Sequence, residues 1–205
     1  MPGGAILAID QLHPQPRHVE RAVAVLEAGG VIAFPTDTFY GIGCDVISRK
    51  GIEKIYQLKG MPKSHSVSFI CGDLSDVARY AMVDKAAFRI LKRKTPGPFT
   101  FIMPATRIVP ELVLTRQKTV GIRVPDSPIA LAIAQRLGRA IVSTSAATPD
   151  GEVLIDPRDI RDLLGHGLEM VIDGGYQLDE PSSVIDLTGP EPVVIREGKG
   201  DVSDL

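Results

Sequence analysis

Polar residues 36–40 directly follow an apolar stretch of the chain, Val31–Phe34. They supply two hydroxyls, a carboxylate and a phenol, and they lie between Pro35 and Gly41. Proline and glycine are typical of places where regular strand geometry ends. Open α/β sheets usually bind a small ligand where polar groups crowd the end of a buried strand. The pattern therefore predicts a ligand-binding site here, with an ordinary turn at a strand end as the alternative.

Three other apolar stretches end on serines or arginines. Ser143 and Ser145 follow one stretch, while Arg123 and Arg196 each end another. If these ends converge, hydroxyls and two guanidinium groups line one cleft. A guanidinium fork suits phosphate or carboxylate groups, and hydroxyls suit the orientation of small polar groups. Such a site fits reactions that depend on positioning and charge stabilisation, as in nucleotidyl transfer.

Lys59 closes a predicted helix directly before Gly60, Met61 and Pro62, where the helix must stop. A lysine at a helix C-terminus often complements the partial negative charge of the last carbonyl groups. The alternative is that Lys59 binds a ligand in the predicted cleft. The sequence leaves both roles open.

The chain lacks the sequence signatures of several common catalytic and metal sites. Its glycines give neither the dinucleotide fingerprint nor a Walker-type phosphate loop, and no Gly-x-Ser-x-Gly elbow occurs. The four histidines lie far apart, without metal-ligand spacing. We therefore predict no metal site. Cys44 and Cys71 also follow no metal or redox spacing, and we interpret them as buried thiols in a reducing compartment.

Overall charge and hydropathy are those of a cytosolic protein. The formal net charge is -2, and 23% of the residues are charged. No stretch is apolar for long enough to cross a bilayer, and the first residues lack the basic and then apolar pattern of a signal peptide. We therefore expect a cytoplasmic protein without a membrane partner. The sequence does not indicate an oligomeric state.

Positive charge is concentrated between residues 85 and 123, where nine lysines and arginines occur with Glu111 as the only acidic residue. After Thr148 the balance becomes acidic. Such asymmetry is typical of a protein with a polyanionic partner, whose phosphates release counterions on binding. The alternative is a solvated helix face with snorkelling lysines. The residues expected to contact the partner are Lys85, Arg89, Lys92, Arg93, Lys94, Arg116 and Lys118, with Arg107 extending the stripe.

Strands and helices alternate along the chain, which predicts one α/β domain over residues 1–205 with a mixed, twisted sheet. Strands are predicted at residues 5–9, 31–34, 67–71, 99–103, 120–124, 141–143, 171–173, 184–187 and 193–195. Helices are predicted after the capping residues Ser48, Asp73, Asp84, Ser127 and Asp156. In the helix after Asp84, we expect Ala87, Phe88 and Leu91 to point inward and the basic residues outward.

Seven short blocks spread over most of the chain form an ordered set. They lie at residues 29–43, 95–100, 120–125, 143–146, 173–175, 181–186 and 196–198, and they include Gly-Ile-Arg-Val-Pro and Pro-Ser-Ser-Val-Ile-Asp. In this order and number they resemble the YrdC-like family, whose best-known members are L-threonylcarbamoyladenylate synthases. The chain looks closest to the YciO-type branch of that family.

The resemblance implies a twisted, open mixed sheet flanked by helices, with a large, positively charged concave face. The synthases join ATP, bicarbonate and L-threonine into threonylcarbamoyl-AMP with magnesium and release pyrophosphate. Other proteins then use this product to modify a tRNA adenosine. Members of the family are also linked to binding double-stranded RNA or tRNA, which would be the polyanionic partner of this chain.

By the same resemblance, Thr36 would contact the amino-acid or carbamate group. Lys59, Arg123 and Arg196 would hold phosphates. Ser143 and Ser145 would contact the adenylate, and Ser182 the substrate end.

The chain departs from the synthase pattern at two positions. Met61 stands where the synthases carry the arginine of a Lys-x-Arg pair, and Ala147 stands where they carry the asparagine of Ser-x-Asn. Two hypotheses remain open. In one, the protein is an adenylate-forming enzyme of the synthase type, or a relative acting on a different acyl acceptor. In the other, it is an RNA-binding protein that keeps the fold and the charged face without the chemistry.

Overall fold

Ten strands form one mixed sheet within residues 4–60, 67–177 and 180–205, the part of the chain that this computed structural model describes. They are β1 (Ala5–Ala8), β2 (Val31–Phe34), β3 (Gly41–Asp45), β4 (Ser68–Ile70), β5 (Phe99–Pro104), β6 (Thr119–Arg123), β7 (Ile141–Ser145), β8 (Met170–Asp173), β9 (Ser183–Asp186) and β10 (Val193–Arg196). Their order across the sheet is β1-β8-β2-β3-β7-β4-β6-β5-β9-β10. The predicted fold class, an open mixed α/β sheet with flanking helices, is confirmed.

Five of the six α-helices within the described ranges begin at a capping side chain, and the helix that begins at Pro16 has no side-chain cap. The six helices are α1 (Pro16–Glu27), α2 (Arg49–Leu58), α3 (Leu74–Tyr80), α4 (Lys85–Lys94), α5 (Pro128–Leu137) and α6 (Pro157–Leu164). Ser48 Oγ accepts a hydrogen bond of 3.0 Å from the Gly51 amide and so satisfies one free donor of the first turn of α2. The caps predicted at Asp73, Asp84, Ser127 and Asp156 are all confirmed. None of these helices is both long and apolar enough to span a membrane.

One face of the sheet changes from apolar to polar partway across. Near β2 and β7 this face carries Ile32 and Ile141, which belong to a buried cluster with residues of α1 and α5. Ser143 follows Ile141 by two residues and therefore lies on the same face. Ser143 pairs with Ser68 of β4, and Ser68 pairs with Gly121 of β6, so the face continues as hydroxyls and a glycine. The sheet thus presents an uncovered polar surface beside a packed one.

The opposite face of the sheet is apolar across its centre. Phe69, Phe101 and Ile122 are completely buried there, in one cluster with residues of α2, α3, α4 and α6. Residues in β5 and β6 alternate between buried and half-buried along each strand, as expected for a sheet covered on one side only. The helices on this face hold the strands in place while the polar surface stays open.

Strand β3 was not predicted, because Pro35 and Gly41 indicated that strand geometry ends. The structure shows instead that Gly41–Asp45 pairs antiparallel with both β2 and β7. Close packing explains the glycines. A Cβ atom on Gly43 would lie 2.6 Å from Ile141 Cγ2 and 2.9 Å from Phe34 Cε1.

Helix α4 buries Ala87, Ile90 and Leu91, whereas Phe88 is 48% exposed. The prediction that Phe88 points inward was therefore wrong. The inward stripe continues to Lys94, whose side chain is only 9% exposed, and position 88 lies about 100° around the helix from Ala87, at the edge of that stripe.

Lys94 holds the C-terminal residues against α4 and was wrongly expected to be exposed. Its Nζ donates to the Asp201 carbonyl oxygen at 2.6 Å, forms an ion pair with Asp204, and lies 5.2 Å from the centroid of the Phe99 ring. The neighbouring Arg93 donates to the Asp204 carbonyl oxygen at 3.1 Å. These contacts occupy two of the basic residues predicted to contact RNA.

We expect the substitution Gly43→Ala to lower the free energy of unfolding by about 1–3 kcal/mol, because the added methyl group overpacks β3 against Ile141 and Phe34. Urea unfolding followed by circular dichroism measures the change. Gly121→Ala is the matched control, since its Cβ atom would meet neighbours at 3.5 Å, an ordinary contact distance. Equal loss of stability in the two variants would contradict the packing explanation.

Candidate functional site

The uncovered polar face of the sheet forms a cavity of about 610 Å³, which we call the polar groove. Its wall and floor come from β4, β5, β6, β7, β9 and β10, with hydroxyl groups of Ser68, Thr100 and Thr119 among the lining side chains. Five of the seven residues predicted to bind substrate or nucleotide line this groove: Arg123, Ser143, Ser145, Ser182 and Arg196. Strand ends that are distant in sequence therefore converge, as the cleft hypothesis requires.

Arg123 is fixed in the groove by a buried ion pair. Its Nη2 donates to Asp37 Oδ1 at 2.7 Å and to Thr38 Oγ1 at 3.1 Å. The Arg123 and Asp37 side chains are 12% and 6% exposed. Burial lowers the pKa of Arg123 and so does the nearby charge of Arg196, while Asp37 opposes both effects. Among the described residues, the buried Nε of Arg123 has no hydrogen-bond partner.

Thr36 contacts Thr38, a partner of Arg123, and does not line the polar groove. Its hydroxyl donates to the Phe39 carbonyl oxygen at 2.6 Å and accepts from the Thr38 amide at 3.1 Å, and the residue is 5% exposed. These bonds form a local turn that presents Thr38 to Arg123. In the structure, Thr36 therefore belongs to a turn at a strand end, which was the alternative to a binding site. Asp37 and Thr38 connect this turn to the groove.

Tyr40 also stabilises this segment through hydrogen bonds of its hydroxyl. Its hydroxyl donates to the Gly175 carbonyl oxygen at 2.8 Å and accepts from the Gly174 amide at 3.1 Å. Burial raises the pKa of this phenol above its ordinary value. Tyr40 thus joins the β2–β3 connection to the glycines that follow β8.

Arg196 and Ser182 form one wall of the groove. Nε and Nη2 of Arg196 donate to the Ser182 carbonyl oxygen at 3.1 and 2.9 Å, and the Ser182 hydroxyl lies 2.9 Å from Thr100 Oγ1. A bulge in β10 between Val194 and Arg196 shifts the register so that Arg196 pairs with Val184 of β9. Bulges re-aim side chains near functional sites, and here the bulge accompanies the placement of a guanidinium in the groove.

Ser143 and Ser145 lie along the opposite wall, on β7. Ser143 is buried above Gly41, where a Cβ atom would come within 2.8 Å of the Ser143 hydroxyl oxygen. Gly41 therefore makes room for this hydroxyl. Gly121 leaves the floor of the groove open in a different way, because a Cβ atom there would fit at ordinary contact distance.

Lys59 lies outside the lining of the polar groove. It is the C-cap of α2 and is 6% exposed, and its Nζ donates to the Ala147 carbonyl oxygen at 2.8 Å. Burial lowers the pKa of Lys59 to about 8. Ala147, one of the two departures from the synthase pattern, is thus the backbone partner of this lysine. Met61, the other departure, lies outside the described residues.

Several groove features were not identified from the sequence. Asp37 was part of the polar segment, but its pairing with Arg123 spans 86 positions and has no local signal. The floor of the groove did have a local signal. Polar or small residues alternate with apolar ones along β5 and β6, as in Thr119, Gly121 and Arg123, and this alternation indicates one solvated strand face. Asp186 is the one carboxylate among the described lining residues.

The described part of the chain contains no group of three or more His, Cys, Asp or Glu side chains arranged to hold a metal ion. Magnesium usually binds through one or two carboxylates together with substrate phosphates and waters. Asp186 is the groove residue with the right donor for that arrangement. The groove otherwise offers hydroxyls and cations, which suit the oxygen atoms of an anion.

Comparison with known proteins gives matches over nearly the whole chain. The family model Sua5_yciO_yrdC, described as "Telomere recombination", matches residues 24–198. The chain is 42% identical over 192 residues to "Uncharacterized protein YciO" of Escherichia coli (strain K12), with 93% of both chains covered. It is 34% identical over 185 residues to a "Threonylcarbamoyl-AMP synthase" of Mus musculus, covering 86% of this chain and 65% of that protein.

Solved structures agree with these matches. The crystal structure of E. coli YciO has a TM-score of 0.92 at 40% identity and covers 98% of both chains. The structure of P. abyssi Sua5 complexed with L-threonine has a TM-score of 0.88 at 27% identity, covering 94% of this chain and 57% of that one. The family match includes every described residue that lines the polar groove.

We expect the free energy of unfolding to depend on pH through Lys59. Its pKa is about 8 in the folded protein against 10.5 for an ordinary lysine, so between these values the unfolded chain binds more protons. This group therefore makes the protein more stable as the pH rises from 8 to 10.5, by at most about 3 kcal/mol. Lys59→Met should remove that rise.

Urea unfolding at pH 8, 9 and 10 measures the effect as the difference between the parent and the variant. Lys50→Met is the control, because Lys50 is an exposed residue of the same helix. If Lys59→Met and Lys50→Met changed the pH dependence equally, Lys59 would not be the titrating group.

Proposed function

Because this chain belongs to the Sua5, YciO and YrdC family, we propose that its polar groove binds ATP and that the protein forms an acyl adenylate of the threonylcarbamoyl-AMP type. The observation that carries the proposal is the convergence of Arg123 and Arg196 with three serine side chains in one groove. The name of the mouse relative, threonylcarbamoyl-AMP synthase, and the L-threonine complex of P. abyssi Sua5 support the choice of acyl group.

The volume and chemistry of the groove support a nucleotide ligand. Small-molecule sites usually have volumes of about 300–1,000 Å³, and the groove has about 610 Å³. Two guanidinium groups at one end suit phosphate oxygens, because their planar forks donate pairs of hydrogen bonds. Hydroxyls of Ser143, Ser145 and Ser182 suit the sugar and the remaining polar atoms.

The proposed reaction has two bond-forming steps. The amine of L-threonine condenses with bicarbonate to a carbamate, and water is lost. A carbamate oxygen then bonds to the α-phosphorus of ATP as the bond to the pyrophosphate oxygen breaks. Arg123 and Arg196 stabilise the negative charge that the phosphate oxygens carry during this step. Magnesium would enter with the triphosphate and neutralise part of its charge. Among the described residues of the groove, Asp186 carries the carboxylate that would bind it.

The position of Asp37 gives Arg123 its role. A buried guanidinium without a partner is costly, and Asp37 supplies the counter-charge while leaving Nε of Arg123 without a partner among the described residues. The ion pair therefore keeps Arg123 oriented for an anion before the anion arrives.

We expect Arg196→Met to weaken ATP binding by about tenfold to a hundredfold, because it removes a charge-assisted phosphate contact. Isothermal titration calorimetry with ATP and magnesium measures the affinity. Pyrophosphate release in the presence of ATP, bicarbonate and L-threonine measures the reaction. Arg196 is exposed and its loss leaves the core unchanged, so the variant should remain folded.

Arg49→Met is the matched control, because Arg49 is a surface residue on α2 whose side chain is 83% exposed. Omission of L-threonine tests the acyl acceptor. A parent protein that binds no ATP would refute the nucleotide site. ATP binding with no pyrophosphate release from threonine would leave the groove as a nucleotide site and refute the threonine reaction.

A second candidate function is binding of double-stranded RNA or tRNA through the basic surface. The observation that favours it is the exposure of Lys85, Arg89, Lys92 and Arg93 on α4, with Arg107, Arg116 and Lys118 also exposed. Lys94 is removed from this set and Arg93 is partly engaged, because both side chains hold the C-terminal residues. Such a surface contacts backbone phosphates and carries no sequence readout.

We expect RNA affinity to fall with salt, and the triple variant Lys92→Glu, Arg107→Glu, Arg116→Glu to lower the salt slope by roughly 0.7–0.9 log unit for each phosphate contact that is lost. Fluorescence anisotropy with a labelled RNA duplex and with tRNA at several salt concentrations measures both. The control is Arg49→Glu, on another helix. An unchanged affinity and slope in the triple variant would exclude this surface.

A further inference from the structure

A second cavity lies between α3 and α4, the helices that pack on the face of the sheet opposite the polar groove. Its volume is about 440 Å³, and we call it the helix pocket. Its apolar wall consists of Leu74 and Ala78 of α3, Val83 of the connection, and Phe88 and Leu91 of α4. The polar groove shares none of these residues, so the two cavities are separate.

Phe88 is the feature of this pocket that the fold does not require. Helix α4 already buries Ala87, Ile90 and Leu91 against the core, and Phe88 remains 48% exposed. An aromatic ring contributes a large apolar area wherever it becomes buried. Here that area is available to a molecule in the pocket, because Phe88 lines it.

Two cations also line the helix pocket. Lys85 and Arg89 are four residues apart, so their side chains lie on the same side of α4. Neither side chain forms an ion pair or a side-chain hydrogen bond with the described part of the chain. Arg93 and Lys94 of the same helix, in contrast, both hold the C-terminal residues. Both pocket cations are therefore available for an external anion.

The positive charge of Lys85 does not stabilise its own helix. It occupies the first turn of α4, where the helix dipole disfavours positive charge. Asp84 also lines the pocket, but its carboxylate accepts a hydrogen bond of 2.7 Å from the Ala87 amide as the helix cap. The pocket thus presents two cations against one carboxylate that is already engaged.

We propose that the helix pocket binds an amphiphilic anion, a small molecule with an apolar chain or ring system and one carboxylate head group. The apolar body would contact Phe88, Leu74 and Ala78, and the head group would pair with Lys85 and Arg89. The volume of about 440 Å³ is in the usual range for small-molecule sites, and such sites combine an apolar lining with a few polar anchors. The charge complementarity selects an anionic ligand over a neutral or cationic one.

The test compares two probes that share a ten-carbon chain and differ in the charge of the head group. Decanoate should bind at least about tenfold more tightly than decyltrimethylammonium, because only decanoate forms charge-assisted bonds with the two cations. Titrations below the critical micelle concentration of each probe, followed by ¹⁵N–¹H NMR, give the affinity and locate the site. Amide shifts should occur in α3 and α4. Lys85 and Arg89 also belong to the predicted RNA-contacting set, so the titration contains no nucleic acid.

Two variants separate the contributions of charge and shape. The double variant Lys85→Gln, Arg89→Gln should reduce the preference for decanoate to about twofold or less, because the charge-assisted bonds are lost. Ala78→Phe should abolish binding of both probes by filling the pocket. Ala86→Phe is its control, since Ala86 is exposed on α4 and does not line the pocket.

Three results would overturn the proposal. They are equal affinity for the two probes in the parent protein, undiminished decanoate binding in folded Ala78→Phe, and amide shifts confined to other elements. Sedimentation velocity without a probe examines a different occupant. A dimer that dissociates in Phe88→Ser would show that a second copy of the chain covers the pocket, and this would also refute a small-molecule site.

Discussion

The ion pair between Asp37 and Arg123 joins the parts of the chain that build the polar groove. Asp37 lies in the β2–β3 connection, and Arg123 ends β6. The second carboxylate oxygen of Asp37 accepts from the Asp126 amide at 2.9 Å, and Lys199 Nζ donates to the Asp37 carbonyl oxygen at 2.6 Å. Because a buried charge requires its partner, these elements can only occupy this arrangement together. The groove geometry therefore depends on a single residue that does not itself line the groove.

The change of one sheet face from apolar to polar explains why the groove is open. Ile141 and Ser143 are two residues apart on β7, and the first belongs to the cluster under α1 and α5 while the second lines the groove. The covered part supplies packing energy through buried apolar area. The uncovered part is stabilised by the helices on the opposite face. This division lets one sheet provide both a core and a solvated polar groove, without a separate domain for either.

The sequence predicted those features whose causes are local. Ser48 caps α2 through a residue three positions away, and that kind of spacing can be read directly from the chain. Strand β3 was not predicted because Gly41 was interpreted as the end of strand geometry, whereas the structure shows that Gly43 is in close contact with Ile141, which is almost a hundred positions distant. Phe88 was expected to be buried and Lys94 exposed, and the structure shows the reverse for a similar reason. The C-terminal residues that engage Lys94 lie far from it in sequence. Within the candidate site, the convergence of strand ends followed from topology rules. Thr36 forms a local turn, which was the alternative for this segment, whereas the role of Asp37 depends on a tertiary contact with Arg123 that no pattern in the sequence specifies.

The bulge in β10 has a consequence for how the molecule meets its neighbours in a crowded solution. This strand is the last in the sheet, and Val193, Val194 and Ile195 on it are 53%, 41% and 57% exposed. A flat apolar edge of this kind is a template for aggregation, and an irregularity in the strand interrupts the regular spacing that another strand would need. The backbone distortion that accompanies the placement of Arg196 in the groove therefore also hinders another strand from pairing with this edge. Protection of the sheet edge and placement of Arg196 are in this way linked through one short strand, so a change that straightened it would affect both.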